Sequence, residues 1–134
     1  KTDIVCEDIN LYKKLVSELG DDVYSKDQST KTIKVLTSKI TSITELDLSS
    51  SSDDSKITNL TGLEKFTSLT NLNLSGNSIT SIEPITGLTS ITILNLSGNQ
   101  QKIEDVGKLS SLTNIINLNM SSLVVINSDI FVIL

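Results

Sequence analysis

The chain has 134 residues, 37% apolar and only 3% aromatic, and a net charge of −5. That length and apolar content make one domain with an aliphatic core, and the acid excess speaks against a nucleic-acid partner, which needs clustered Lys or Arg. Every cation is Lys, His is absent, Cys6 is alone and so excludes an intrachain disulfide, and no run of about 18 apolar residues exists to insert in a membrane.

Residues 1–42 form the first unit. Leu11, Leu15 and Leu19, with Tyr12 and Val16 beside them, draw an apolar stripe at helical spacing. Asp8 is placed to cap the helix start and Gly20 to stop it. A second short helix is expected from about Ser29 to Ser38, with Ile33 and Leu36 facing inward. Two helices ahead of a repeat array read as an N-terminal helical cap, which shields the first turn's leucines and its open strand edge.

From residue 43 the chain repeats itself. Leu69-Thr-Asn-Leu72-Asn-Leu74-Ser-Gly-Asn77 returns as Ile91-Thr-Ile-Leu94-Asn-Leu96-Ser-Gly-Asn99, a period of 22 residues. The pattern LxxLxLxxN at that spacing marks a leucine-rich-repeat solenoid, an α/β fold with a parallel sheet on its concave face and a 3₁₀ or extended convex side. About four repeats fill residues 43–122, opening at Ile43, Leu69, Ile91 and Ile115. The first spacing is 26 and the last 24, so extra residues fall at 49–56 and 100–102, on one rim of the solenoid. On the convex side Ile79, Ile82, Ile85 and Leu88 recur every three residues, the period of a 3₁₀ turn.

In each strand the leucines point inward and alternate positions point out. The outward residues stack as Glu45, Asn71, Ile93 and Asn117, then Asp47, Asn73, Asn95 and Asn119, then Ser49, Ser75, Ser97 and Ser121. The first eight of these are the expected partner-binding residues. They include none of the Trp, Tyr or Arg that dominate binding hot spots. Four strands span only about 20 Å, too little for the roughly 800 Å² per partner of a standard interface. The chain is therefore expected to be the start of a longer array or a weak binder.

Several residues have a structural reading. Asn77 and Asn99 sit where a buried bend orphans backbone groups, which their amides can satisfy. Residues 49–55, four serines followed by Asp53, Asp54 and Ser55, have the composition of a calcium loop but lack its Gly and its downstream Glu, so they read as a hydrated rim loop. Asn59, Asn73, Asn95 and Asn119 each begin an N-x-[ST] sequon. Glycans at the last three would cover the concave sheet, so a bacterial or cytosolic origin fits better. No enzyme is expected. Without His a Ser or Cys nucleophile loses its commonest base, and no phosphate loop, cofactor site or metal-ligand cluster appears.

The stretch from Gly62-Leu63-Glu64-Lys65-Phe66 to Ile82-Glu83-Pro84-Ile85-Thr86-Gly87-Leu88 resembles internalin-type repeats. Thr32-Ile33-Lys34-Val35-Leu36, running into Ile40 and on to Leu48, is similar to that family's cap, and the likeness covers nearly residues 8–122. It implies a non-catalytic module of a bacterial surface or secreted protein that binds a protein or glycan. The alternative is a cytoplasmic leucine-rich-repeat adaptor of the kind that docks a phosphatase.

Residues 123–134 lose the pattern, with Leu123 in place of the ladder Asn. Ile130-Phe131-Val132-Ile133-Leu134 is apolar and β-prone, an edge expected to be covered by further chain, by its own fold-back, or by a second copy in a homodimer.

Overall fold

A computed structural model describes residues 1–123 of the chain. Beyond Leu123 the expected apolar edge, with residues 130–134 and the homodimer contact assigned to it, lies outside the described residues.

The N-terminal unit is mixed rather than helical. Strand β1 (Thr2–Val5) leads into helix α1 (Ile9–Leu19), followed by strands β2 (Val23–Asp27) and β3 (Thr32–Val35) and the short helix α2 (Thr37–Ser42). The three strands form an antiparallel sheet in the order β1-β3-β2. Helix α1 begins where the Asp8 carboxylate accepts from Asn10 N and Leu11 N, and it ends at Gly20, whose φ of 55° only glycine adopts freely. Leu11, Tyr12, Leu15 and Leu19 are all buried.

The helix expected over residues 29–38 is a correction. Asp27 accepts from Ser29 N at 2.9 Å and from the Ser29 hydroxyl at 2.6 Å, closing a turn that Lys31 completes at φ 53°. Thr32-Ile33-Lys34-Val35 then alternates with period two. Ile33 and Val35 are buried, while Leu36, assigned inward by helical spacing, is 42% exposed. Pairing to both neighbours overrides the weak i, i+3 signal, since β-branched residues suit a central strand.

The repeats build a second sheet from β4 (Glu45–Asp47), β5 (Asn71–Asn73), β6 (Ile93–Asn95) and β7 (Asn117–Asn119), all parallel and in sequence order. Leu46, Leu72, Leu94 and Leu118 are register partners. Opposite the sheet run 3₁₀ turns at Leu63–Lys65, Glu83–Ile85 and Val106–Ser111. The extra residues of the first repeat form another, Asp53–Ser55, held by a 2.6 Å contact between the Ser50 and Ser55 hydroxyls and a 3.2 Å Lys56–Asp53 ion pair.

One aliphatic core joins both units, from Ile4 through Leu15, Leu48 and Phe66 to Leu112. Each fully buried Leu or Ile contributes about 1.5–3 kcal/mol. The polar exceptions are satisfied. Asn77 is fully buried, donates to Leu48 O and Leu74 O at 3.0 Å, and accepts from Ile57 N at 2.9 Å. Asn99 repeats the arrangement one turn on, donating to Leu74 O and Leu96 O and accepting from Ile79 N.

Candidate recognition surface

The outward face of the second sheet follows from strand alternation. Across the strands Glu45, Asn71, Ile93 and Asn117 are register partners, as are Asp47, Asn73, Asn95 and Asn119. Cross-strand neighbours lie about 4.8 Å apart, so the eight expected residues form two adjacent rows on one surface. Ile93 is 36% exposed, the one apolar side chain among them.

The second row is locked by its own sequence. Asn73 Oδ1 accepts from Ser75 N at 3.0 Å and from the Ser75 hydroxyl at 2.7 Å. Asn95 takes the same pair from Ser97, and Asn119 from Ser121. The Asn-x-Ser spacing that reads as a sequon is thus an Asx turn. Each side-chain carbonyl oxygen is occupied, and the amide N–H₂ is left as an outward donor. At the first rung Asp47 replaces Asn and accepts from Ser49 N at 3.0 Å. Hydrogen bonding from Ser49, with the nearby Lys14 charge, holds its carboxyl below the usual carboxylate range.

Two residues of α1 join this end of the face, and the sequence carries no local signal for either. Glu18 lines a depression of about 370 Å³ with Glu45, Leu46, Asp47, Asn71 and Asn73. It brings a third carboxylate to two amides. Lys14 Nζ donates to Leu48 O at 3.2 Å and Ser49 O at 2.9 Å. Burial pulls Lys14 below the usual lysine range, against the opposing pull of Asp47 and Asp8.

Cys6 is buried, and its thiol is pushed up to about 12, by burial first and then by the Glu64 and Asp8 charges. A thiol in that state is a poor nucleophile near neutral pH. Among the described residues no group of three His, Cys, Asp or Glu comes together in a way that could hold a metal ion.

A repeated strand, an inward Leu ladder, a buried Asn ladder and a 3₁₀ convex side define a leucine-rich-repeat protein. A family model for leucine-rich repeats in two copies matches residues 67–102. The chain is internalin-like. It is similar to the structure of an internalin (InlF) from Listeria monocytogenes, with a TM-score of 0.69 and 26% identity over 88% of this chain and 31% of that one. It is similar also to internalin C2 of the same organism, with a TM-score of 0.51 and 26% identity over 86% of this chain and 54% of that one. The chain thus spans a little under a third of the length of the first structure and about half of the second. No curated protein sequence matches it.

Proposed function

We propose that this chain is a non-catalytic recognition module of a bacterial surface or secreted protein, and that its concave sheet binds a protein partner. One observation carries the reading. Eight outward residues, Glu45, Asp47, Asn71, Asn73, Ile93, Asn95, Asn117 and Asn119, stand in two registered rows, and each is exposed or half-exposed. A protein is favoured over a glycan because these rows offer hydrogen-bond donors, carboxylates and Ile93 but no aromatic ring for a sugar to stack on. The likeness to two internalins supports the surface or secreted setting.

In this reading residues 1–42 cap the array, 43–122 form the repeats, and 123–134 are the C-terminal edge. The cap is supported by the core that runs unbroken from Ile4 and Leu15 into Leu46 and Leu48. It is mixed α/β, its antiparallel sheet and α1 together closing the first turn.

The test places a photo-crosslinking residue at Asn95 on the concave face or at Thr80 on the convex side, and presents each protein to intact host cells. Adducts should come from position 95 and not from position 80. They should fall when Glu45 and Asp47 are both replaced by Lys, because rim and face charges govern the rate of encounter. Adducts only from position 80 would defeat the assignment.

A further inference from the structure

Helix α1 and the β2–β3 hairpin flank a second, open depression of about 330 Å³, lined by Tyr12, Lys13, Val16, Lys26 and Gln28. It shares no residue with the acidic depression on the concave face. No carboxylate lines it. Asp27, between Lys26 and Gln28 in the chain, spends its Oδ1 on Ser29 N and the Ser29 hydroxyl in its own turn.

Lys13 and Lys26 enter none of the ion pairs among the described residues, where Lys34, Lys39, Lys56, Lys102 and Lys108 each have a carboxylate. Tyr12 is 4% exposed, its ring part of the core, and its hydroxyl reaches the surface rather than being a buried group without a partner. The hydroxyl lies in the wall of an open depression that two ammonium groups and a carboxamide also line.

We propose that this depression binds a small organic anion, a phosphate monoester or a carboxylate on a short apolar stem. Lys13 and Lys26 bracket the anionic group, the Tyr12 hydroxyl and the Gln28 amide donate to it, and Val16 with the Tyr12 ring receives the stem. The volume lies at the low end of the roughly 300–1,000 Å³ of small-molecule sites, so it suits one ring or a short chain. The site stands apart from the concave-face reading, and either can fail without the other.

Amide-resolved NMR titration of the whole chain tests it, with phenyl phosphate and benzoate as probes, inorganic phosphate as the anion without a stem, and benzyl alcohol as the stem without an anion. Saturable shifts at Tyr12, Lys13, Val16, Lys26 and Gln28 with either charged aromatic probe would support the site, and which probe binds tighter tells phosphate from carboxylate. Both stem-bearing anions should bind several-fold tighter than inorganic phosphate. Lys13→Gln and Lys26→Gln should each weaken binding roughly tenfold, the scale of one hydrogen bond to a charged group. Tyr12→Phe, which keeps the ring and its packing, should weaken it less, and Lys65→Gln on the convex side should leave it unchanged. Both lysines are exposed, so these variants retain the fold, which their unliganded spectra will show. Absence of saturation, an equal response to benzyl alcohol, or an equal loss in Lys65→Gln would overturn the proposal.

Discussion

Asp8 Oδ2 accepts the backbone N–H of Thr58 at 2.7 Å, joining residues fifty apart, while Oδ1 of the same carboxylate caps α1 through Asn10 N and Leu11 N. Oδ2 also takes the Thr58 hydroxyl at 2.9 Å and Asn59 N at 3.1 Å. A single side chain thus fixes the start of the helix and fastens it to the first repeat.

Asp8→Ala should therefore cost more than the about 1 kcal/mol typical of a lost cap, reaching about 2–4 kcal/mol, because it also strands donors at Thr58 and Asn59. Urea denaturation at neutral pH measures this. A loss no larger than that of an ordinary cap would contradict the fastening role.

The same carboxylate gives a pH signature. Burial by itself raises its pKa, but hydrogen bonds from Thr58, Leu11 and Asn59 outweigh burial and leave it below the ordinary 3.8. A depressed folded pKa means stability present above the unfolded value and lost as pH falls through the folded one. The stability gap between the protein and Asp8→Asn should be full above about pH 4 and shrink below the ordinary value of 3.8. A gap that stays constant on acidification would refute it.

Leu15 is fully buried on the inner face of α1. Leu15→Ala should destabilise by about 2–5 kcal/mol, the range for a truncated core leucine, and a thermal melt that does not move would be inconsistent with this packing.

The two kinds of asparagine should separate in a stability series. Asn77→Ala and Asn99→Ala each leave buried carbonyls and an N–H without partners, and should cost about 3 kcal/mol or more. Asn73→Ala and Asn95→Ala remove only a half-exposed Asx turn and should cost about 1 kcal/mol. Equal costs would mean that the buried ladder is not what holds the corners.

Gly76 and Gly98 occupy equivalent corners, at φ 73° and 68°. A Cβ at Gly76 would run into the Ser50 carbonyl oxygen, whereas at Gly98 the nearest atom is Gly76 N at 3.6 Å. Gly98→Ala should cost only the left-handed penalty of about 1–2 kcal/mol, and Gly76→Ala clearly more. The reverse order in chemical denaturation would disprove the contact.

How much of this was legible in the sequence depended on the range of the interaction. The 22-residue period and the inward leucines were readable because each repeat carries its own pattern, and the buried roles of Asn77 and Asn99 followed from that period. The stripe of Leu11, Leu15 and Leu19 was likewise enough to place α1. The strand at Thr32–Val35 reads locally as helix, since four alternating residues, three of them β-branched, are too short a signal until strands on both sides supply hydrogen bonds. Local pattern also could not show that Asp8 reaches Thr58, that Lys14 holds the Leu48 and Ser49 carbonyls, that Glu18 joins Glu45 and Asp47, or that Tyr12 and Lys26 line one depression. Each of these depends on how α1 packs on the first repeat or on the hairpin, which the shared aliphatic core decides and no single segment encodes.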